Sequence, residues 1–356
     1  MKHSADGSWL LYGATGYTGT LIAEQAVKRG HRPILAGRNA EKLRVLGKRL
    51  GLTWWAFPLE DQSTLFKAAA SVDLVLHAAG PFAKTCEPMM DACLAGKSHY
   101  LDISNEIPVL QSAQARHHMA EGNGVSLIPG VGFGTVASNC LARHVCEQLA
   151  EPVSLEIVLS PYVAQHSAGA AQSTLNTIAH GGYVRRGGAL MSTPFGSGAK
   201  HIRIKNRKHN ALPVPSGDLE AAYMATGIAH ITVFMVSPLH PIIARLALPL
   251  VQKLLGWETF RQRLAQRADA RSTVSVAKPA GGNHRSWLWA QVTDRYGNMF
   301  AAKLETGEGY EFTASASVLA VERVLGQRLS GTMTPAKAFG TDFVLQIEGV
   351  RGYNTC

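Results

Sequence analysis

The segment Gly13-Ala14-Thr15-Gly16-Tyr17-Thr18-Gly19 decides the fold of the first part of this 356-residue chain. An apolar run, Trp9 to Tyr12, precedes it, and a helical pattern follows it. Gly13 permits a tight turn, Gly16 lets the backbone approach a phosphate, and Gly19 lets helix and strand pack closely. Because a helix N-terminus presents N–H groups and a positive dipole end, the segment predicts a phosphate-binding turn.

Short apolar runs alternate with helical stretches up to about Ala150. This alternation is typical of parallel sheets with crossover helices, so we predict an α/β, doubly wound fold of the Rossmann type. One helix should end at Arg29, before Gly30, and a second should begin behind an Asn39 cap and end at Gly51. The six predicted strands are Trp9–Tyr12, Pro33–Ala36, Thr53–Phe57, Leu74–Ala78, Tyr100–Ile103 and Val125–Ile128.

The end of the second strand predicts which dinucleotide the turn holds. An Asp or Glu about 20 residues past the glycines would bind the ribose hydroxyls of NAD. This chain has Arg38 there, followed by Asn39, with Lys42 one turn further on. A guanidinium can stack on adenine and pair with a 2′-phosphate, so we predict NADP as the cofactor. The alternative is that Arg38 is an ordinary surface arginine.

Two further segments belong to the predicted cofactor site. Asp61 follows the third strand and is expected either near the adenine or in a plain turn role. Ala78-Ala79-Gly80-Pro81-Phe82 follows the fourth strand, at the sheet edge where such folds bind ligands. The predicted cofactor-binding residues are Gly13, Ala14, Thr15, Gly16, Tyr17, Thr18, Gly19, Arg38, Asn39, Lys42, Asp61, Ala79, Gly80, Pro81 and Phe82.

The remainder of the chain predicts a second domain. We place the Rossmann domain at residues 1–150, an α+β substrate or dimerisation domain at 151–330, and a C-terminal segment, 331–356, that returns near the first domain. The most apolar stretch, 225–255, is interrupted by prolines and charges. It is interpreted as a buried segment followed by an amphipathic helix from Pro241 to Leu255, because a membrane span needs about 20 uninterrupted apolar residues. The alternative is a lipid-facing or acyl-binding surface, hence a peripheral membrane contact.

The composition of the chain limits which partners and ligands we expect it to bind. The formal net charge of +10 favours an acidic partner, but the basic residues are spread out, so nucleic acid is not expected. Five cysteines show no pattern of a structural zinc site, and no metal is expected. The start of the chain lacks the layout of a secretory signal, which favours a cytoplasmic location. A homodimer is left open.

Several motifs together resemble the saccharopine dehydrogenase-like oxidoreductases, in particular the branch of trans-acting enoyl reductases. In the first half they are GATGYTG, AGRN (Ala36 to Asn39), AAGPF (Ala78 to Phe82), HYLDISNE (His99 to Glu106) and PGVGF (Pro129 to Phe133). In the second half they are Ser167 to Gly182, Gly217 to Met235 and Thr334 to Gly340. The resemblance implies hydride transfer from NADPH. Relatives usually carry an acid after Gly-Phe in the PGVGF segment, where this chain has Gly134.

Hydride transfer requires little from the protein beyond orientation and a proton donor or a group that polarises the acceptor. Asp102, at the end of the fifth strand, is the first candidate catalytic residue, and His230 from the second domain is the other. For Asp102, holding the loop by backbone hydrogen bonds is an equal alternative, and for His230 a structural role is the alternative.

Three functions are compatible with these observations. The first is an NADPH-dependent reductase of an acyl or enoyl thioester or a lipid-like substrate, free or carrier-bound. The second is a saccharopine-type oxidoreductase that reduces an imine, which would need arginines for several carboxylates. The third is an NADP-binding sensor or scaffold with little catalysis, since one fold serves many functions.

Overall fold

The computed structural model describes residues 7–162, 181–204, 206–255 and 285–356. The chain divides into two compact units. The first consists of Met1–Val136 and Tyr310–Gly349, and the second of Ala137–Gly309 and Val350–Cys356. The chain therefore passes between the units three times.

A seven-stranded sheet forms the centre of the first unit, and every strand pair in it is parallel. Its strands are β1 (Trp9–Tyr12), β2 (Ile34–Gly37), β3 (Trp54–Ala56), β4 (Leu74–His77), β5 (His99–Asp102), β6 (Ser126–Ile128) and β15 (Gly331–Thr332). The spatial order is β3-β2-β1-β4-β5-β6-β15. The order reverses at β1, where a doubly wound sheet binds its ligand. The predicted fold class and its six strands are confirmed, with no strand end shifted by more than one residue.

Helices flank this sheet and begin and end at the signals expected from the sequence. Asn39 caps the second helix by accepting a hydrogen bond from Lys42 N at 2.9 Å, and Gly51 ends it with a φ of 66°. The helices are α1 (Tyr17–Lys28), α2 (Ala40–Leu50), α3 (Gln62–Ala70), α4 (Phe82–Gly96), α5 (Ile107–Ala115), α6 (His117–Asn123) and α11 (Pro335–Phe339), followed by a 3-10 helix (Thr341–Gln346). Two longer helices, α7 (Phe133–Cys146) and α10 (Gly309–Leu325), contain the points where the chain changes unit.

The returning segment is fixed to the first unit by polar contacts. The Glu322 carboxylate pairs with the Arg29 guanidinium at 2.6 Å and with His31 Nε2 at 2.9 Å. Further along, Thr332 N donates to His117 Nδ1 at 2.9 Å. These contacts explain why residues 310–349 belong to the first unit although they lie far from it in sequence.

A nine-stranded mixed sheet forms the second unit. Its strands are β7 (Pro152–Ser160), β8 (Gly182–Arg186), β9 (Ala189–Thr193), β10 (Lys200–Ile204), β11 (Arg207–Pro213), β12 (His230–Val236), β13 (Ser286–Asp294), β14 (Met299–Thr306) and β16 (Arg351–Thr355). The main path is β10-β11-β12-β7-β13-β14-β16, with β8 pairing β12 and β9. Among the described residues, two helices lie wholly within this unit, α8 (Asp218–Thr226) and α9 (Pro241–Leu255), so the α+β prediction for the second half is confirmed.

The units differ from the domains predicted from the sequence in three places. The first unit ends at Val136, inside α7, and not near residue 150. Residues 310–330 belong to the first unit, because Glu322 pairs there with Arg29. Residues 350–356 belong to the second unit, because β16 pairs with β14. Within the predicted C-terminal segment, only the part up to Gly349 therefore returns to the first unit.

The apolar stretch of residues 225–255 forms two elements, as expected. In β12, Ile231 and Val233 are fully buried, and the predicted helix Pro241–Leu255 is present as α9. Within the described parts of the chain, no helix combines the length and the hydropathy that crossing a bilayer requires.

Candidate functional site

The glycine-rich segment forms a turn between β1 and α1. Gly13 has a φ of +89°, and the amides of Gly13 and Ala14 both donate to the Ala36 carbonyl, at 2.8 and 3.2 Å. A Cβ added to Gly13 would lie 2.7 Å from the backbone of Ala78. Glycine is therefore required here both by backbone conformation and by the closeness of the loop after β4.

The start of α1 keeps the features of a phosphate-binding helix end. A Cβ on Gly19 would lie 2.1 Å from the Gly13 carbonyl oxygen, so the turn folds back tightly onto the helix. Gly16 is the N-cap and provides no side-chain hydrogen bond, and the first helical turn contains no acidic residue. The N-terminus is therefore neither capped by a side chain nor neutralised by a carboxylate, as a bound diphosphate requires.

Arg38 lies where the sequence predicts it, directly after β2. Its side chain is exposed and makes no hydrogen bond or ion pair with another residue in the described part of the chain. Its charge acts on the phenol of Tyr12: burial raises the pKa of Tyr12 to about 12, and Arg38 opposes that rise. The guanidinium thus lies near the carboxyl end of β1 and remains available to an anionic ligand.

A depression of about 410 Å³ adjoins the turn. It is lined by Thr15, Thr20, Glu41, Lys42, Val45, Leu46 and Arg49. Glu41 is engaged by Arg44, with the closest nitrogen–oxygen distance at 2.6 Å. The structure therefore brings Lys42 and Thr15 to one surface and places Arg49, which pairs with Glu24 at 2.7 Å, beside them. Contact of these residues with the cofactor stays a prediction.

Asn39 and Asp61 both act as helix caps. The Asn39 side chain caps α2, and the Asp61 carboxylate accepts from Thr64 N at 3.1 Å and from Thr64 Oγ1 at 2.6 Å. The hydrogen bonds from Thr64 lower the pKa of the Asp61 carboxyl. For Asp61 the plain turn role is thus directly visible, while contact with the cofactor stays a prediction for both residues.

The loop Ala78 to Phe82 is held by residues on either side of it. Ala78 N donates to the Tyr12 carbonyl at 2.7 Å, continuing the ladder between β1 and β4. Thr85 Oγ1 donates to the Ala79 carbonyl at 2.8 Å. The loop backbone is therefore fixed beside the glycine-rich turn, which is the placement predicted for Ala79, Gly80, Pro81 and Phe82.

Glu106 caps α4 from another segment. Pro81, at the helix N-cap, has no side-chain cap of its own, and the Glu106 carboxylate accepts from Ala83 N at 2.8 Å and Phe82 N at 3.3 Å. Burial raises the pKa of Glu106, and these two N–H groups oppose the rise. Glu106 ends the HYLDISNE motif, and the sequence gave no sign of this contact.

His77 is a buried residue that the sequence reasoning did not single out. Its Nε2 lies 2.9 Å from Thr85 Oγ1, whose proton is directed at the Ala79 carbonyl. The imidazole must therefore be the Nε2–H tautomer, leaving a buried Nδ1 without a hydrogen-bond partner in the described structure. Burial lowers the pKa of His77 to about 3, so it is neutral and orients Thr85.

Asp102 is completely buried and fully engaged. Its Oδ1 accepts from Ser104 N at 2.8 Å and from Gly130 N at 2.9 Å, while Oδ2 accepts from Tyr100 OH at 2.7 Å. Burial raises the pKa of this carboxyl, and the hydrogen bonds oppose the rise. The geometry supports the alternative role of holding the loops after β5 and β6. A catalytic role for Asp102 has no accessible oxygen to support it.

At Gly134, where relatives usually carry an acid, a neighbouring side chain fills the space that a side chain at this position would need. A Cβ on Gly134 would lie 2.5 Å from Asn105 Nδ2. The amide of Asn105 therefore occupies the position into which a side chain at residue 134 would extend, and an acid there would require Asn105 to move.

His230, the other candidate catalytic residue, lies in the second unit at the start of β12. It is exposed, and its Nδ1 is 3.4 Å from Gly187 N. It borders a cavity of about 450 Å³ lined by Ser154, Leu155, Glu156, Arg186, Lys200, His230, Thr232, Gln291 and Thr293. Within it, Lys200 Nζ pairs with Glu156 at 2.6 Å. The cavity thus combines cations and hydroxyls with an accessible imidazole.

A buried apolar cluster continues the same face of the second sheet. Strand register places Phe234 beside Val158 and Val158 beside Trp289, two residues along from the cavity-lining positions. Together with Ile202, Ile204, Ala211 and Ala301 they form one hydrophobic core cluster, in which Val158, Phe234 and Trp289 are at most 4% exposed. One sheet face therefore carries a polar cavity and, beside it, a buried apolar cluster.

Among the described residues, one group has the spacing of metal ligands: His117, His118 and Glu121 offer ligand atoms within 4.8 Å of one another. Nδ1 of His117 already accepts the hydrogen bond from Thr332 N, and the group is largely exposed. The sequence motif from Ser167 to Gly182 lies almost wholly outside the described residues.

These features define a class of protein: one with a Rossmann-type domain built to hold a dinucleotide. The tight Gly13–Gly19 turn, the uncapped start of α1 and the unpaired guanidinium of Arg38 all fit such a ligand. A family model described as "Saccharopine dehydrogenase NADP binding domain" matches residues 9–128. This part of the chain is thus similar to an NADP-binding domain, which confirms NADP as the expected cofactor.

The relatives support the same assignment. The chain is 30% identical over 178 residues to the "Trans-acting enoyl reductase" of Mycobacterium tuberculosis (strain ATCC 25618 / H37Rv), covering 46% of this chain and 43% of that protein. It is 31% identical over 173 residues to the protein of the same name from Mycobacterium leprae (strain TN), covering 45% and 41%. The match thus spans less than half the length of these relatives.

A solved structure extends the likeness to both units. Apo saccharopine dehydrogenase (L-Glu forming) from Saccharomyces cerevisiae is similar over 98% of this chain and 100% of that one, with a TM-score of 0.66 and 12% identity. At that identity the likeness shows the fold. The resemblance drawn from the sequence motifs is confirmed: residues 9–128 match the NADP-binding domain of that family, and the chain has the fold of saccharopine dehydrogenase.

Proposed function

We propose that the protein is an NADPH-dependent reductase of an enoyl thioester or a similar lipid-like acyl substrate. The observation that carries the proposal is a polar, cation-containing cavity that lies beside a buried apolar cluster on one face of the second sheet. A substrate with an acyl chain and a polar thioester carrier arm has the same two-part character. The names of the relatives, trans-acting enoyl reductases, point to the same substrate class.

In the first unit, the residues proposed to hold NADPH are those of the glycine-rich turn, Arg38, Lys42 and the loop Ala78 to Phe82. NADPH supplies the hydride. In the proposed reaction, a hydride adds to the β-carbon of the enoyl thioester and a proton to its α-carbon, while NADPH is oxidised to NADP+. The chain's own contributions are to fix the loop beside the turn through Thr85 and Glu106, and to bind the substrate.

In the second unit, His230 is proposed to donate a proton or to polarise the thioester carbonyl. It is accessible, unlike Asp102, and it borders the polar cavity. Lys200, although paired with Glu156, and Arg186 place positive charge in the same cavity, which suits an anionic carrier arm. The acyl chain is proposed to enter the buried apolar cluster of Val158, Phe234 and Trp289 from the cavity, which requires the side chains that cover the cluster to move.

The imine-reducing alternative has less support from these residues. Such a site should present arginines to two or three carboxylates. Three arginines of the second unit, Arg185, Arg186 and Arg203, are candidates for this role. Arg185 is buried against Glu220 and the Gly188 carbonyl, and Arg203 is exposed on β10. Arg186 alone lines the cavity.

The test is NADPH oxidation with a panel of enoyl thioesters of increasing chain length. We expect turnover, with Trp289→Ala raising KM more for long chains than for short ones, and with the exposed Trp54→Ala as the unaffected control. NADPH binding without turnover of any thioester would refute the proposal. Turnover of an amine with a keto acid would then identify the protein as an imine reductase. The absence of turnover with either kind of substrate would identify it as an NADP-binding sensor or scaffold.

A further inference from the structure

The helix α9 presents an uncovered row of large apolar side chains. The exposed fractions are 60% for Ile242, 71% for Leu246, 63% for Leu250, 55% for Ile243 and 48% for Leu254. Ile242, Leu246 and Leu250 are spaced four residues apart, so they lie on one side of the helix. Such a contiguous apolar surface on a globular protein indicates an interaction site.

The opposite side of α9 is fixed to the second unit. Ala244 is buried, and Gln252 Oε1 accepts a hydrogen bond from Phe195 N at 2.8 Å. Arg245 Nε donates to the Ala199 carbonyl at 2.7 Å. The apolar row is therefore held in a fixed orientation, away from the body of the unit.

Basic residues lie beside this apolar row. The hairpin of β10 and β11 packs next to α9, where the rings of His201 and His240 are 5.1 Å apart. Exposed cations on the hairpin are Arg203, Arg207 and Lys208. Residues 194–213 and 237–255 contain no Asp or Glu at all. The surface is thus apolar along the helix and purely cationic along the hairpin.

We propose that α9 and the β10–β11 hairpin dock the protein onto a membrane surface that contains anionic phospholipid. A helix that carries apolar side chains on one side and cations at its margins lies in the interface plane of a bilayer. The cations of the hairpin then meet the phosphates of the headgroups. The helix is attached to the interface without spanning the bilayer, in agreement with its 15-residue length.

The charge pattern argues against a second copy of this chain as the occupant. In a two-fold symmetric dimer the same patch meets itself, so residues at equivalent positions face each other. Here that arrangement would bring a carboxylate-free cationic hairpin close to its own copy, with repulsion and no compensating acid. An anionic lipid surface supplies the missing charge.

The test is co-sedimentation with vesicles of phosphatidylcholine alone or mixed with phosphatidylglycerol, at low and high salt. We expect binding to the anionic vesicles, weakened by salt, and little binding to the zwitterionic ones. The double variant L246E/L250E should lose binding by more than tenfold. The control is M119E, which places a single carboxylate on a 58% exposed methionine of the first unit. A second variant, R207E/K208E, tests the contribution of the cations of the hairpin, and K28E in the first unit is its control. We expect R207E/K208E to weaken binding to anionic vesicles and K28E to leave it unchanged.

Each variant is first checked for an unchanged thermal transition and unchanged NADPH affinity, so that loss of folding is excluded. The proposal is overturned if the native protein does not bind anionic vesicles, or if L246E/L250E binds them as well as the native protein. It is also overturned if the native protein is a dimer that L246E/L250E dissociates, because a second copy would then be the occupant of α9.

Discussion

The Glu106 carboxylate lies 2.8 Å from the backbone nitrogen of Ala83, so a residue after β5 caps the helix that begins after β4. Two adjacent loops at the ligand-binding edge of the first sheet are thereby joined by a single side chain. The cap therefore adds to the hydrogen bonds of Ala78 N and Thr85 Oγ1 that hold the loop Ala78 to Phe82.

Removing this cap should weaken cofactor binding. Glu106→Ala leaves the N–H groups of Phe82 and Ala83 without their acceptor, and we expect a loss of ~1 kcal/mol in unfolding free energy together with a weaker affinity for NADPH. Glu106→Gln keeps one acceptor oxygen and should retain most of both. Denaturant unfolding and fluorescence titration measure the two effects, with the exposed Glu87→Ala as control. Equal NADPH affinity in all variants would contradict the assigned role of the cap.

Arg38 should determine the preference between the two nicotinamide cofactors. Arg38→Asp replaces a guanidinium available to the 2′-phosphate by a charge that repels it, so the NADPH preference over NADH should fall by roughly 10- to 100-fold. Lys48→Asp introduces the same charge change at an exposed position of α2 and should leave the preference intact. Titration of both cofactors decides the matter, and a native protein that binds NADH as tightly as NADPH would exclude Arg38 from this role.

Alanine variants of Gly13 and Gly30 should distinguish the effect of backbone strain from the effect of steric crowding. Both have a φ of +89°, but a Cβ at Gly13 would meet Ala78 and Ala79, whereas one at Gly30 would meet nothing within 4 Å. Each alanine variant should lose ~1 kcal/mol or more through the left-handed backbone. Gly13→Ala should lose a further ~1–3 kcal/mol through overpacking. It should also lose NADPH binding, which Gly30→Ala retains; similar unfolding curves for the two would contradict the crowding argument.

The Glu322 carboxylate should give the first unit an acid-sensitive component of stability. Hydrogen bonds from His31 and Arg29 outweigh the desolvation of this group and lower its pKa from 4.5 to about 2. The unfolded chain therefore binds the proton more tightly, so this stability is complete above pH 4.5 and is lost as the pH falls towards 2. The loss is at most ~3 kcal/mol and is reduced by the partial exposure of the pair.

Glu322→Gln should remove this pH dependence, as measured by urea unfolding across the acidic range. Glu348→Gln is the matched control, since Glu348 pairs with Lys28 at 3.6 Å with both side chains largely exposed. Were the control to flatten the acid profile as strongly as Glu322→Gln, the assignment to Glu322 would be wrong.

Asp102 should affect stability in the opposite sense with pH. Because burial raises the pKa of its carboxyl above the ordinary 3.8, the native state binds the proton more tightly than the unfolded chain. The free energy of unfolding therefore falls as the pH rises from 3.8 through the folded-state pKa, and then levels off. Asp102→Asn keeps an acceptor for Ser104 N and Gly130 N and should abolish that fall, whereas Asp102→Ala should unfold at much lower denaturant concentration. If Asp102→Asn abolished turnover without changing NADPH affinity or stability, Asp102 would have a catalytic role, and the structural assignment would be wrong.

Local signals predicted local structure well. The Asn39 cap and Gly51 stop fixed α2, and the helix Pro241–Leu255 appears with the predicted bounds, because turn chemistry and apolar periodicity act within a few residues. The same signals could not show that the apolar side of this helix is uncovered, since exposure depends on segments distant in sequence.

In the candidate site too, features set by local sequence were predictable, and features set by distant segments were not. The glycines and Arg38 were predictable because their spacing along one βαβ segment sets their function. Glu106 and His77 were not, because each acts across a loop that only the folded sheet brings near. The burial of Asp102 was equally hidden: an acidic residue at a strand end has the same pattern whether it faces a ligand or the interior.

The division of the chain into units that are not continuous in sequence has a consequence for synthesis. The edge strand β15 and the Glu322 contacts belong to the first unit, yet they leave the ribosome only after most of the second unit has been made. The NADP-binding domain must therefore remain open at one edge of its sheet during translation, and a fragment that stops at Val136 keeps that edge unpaired.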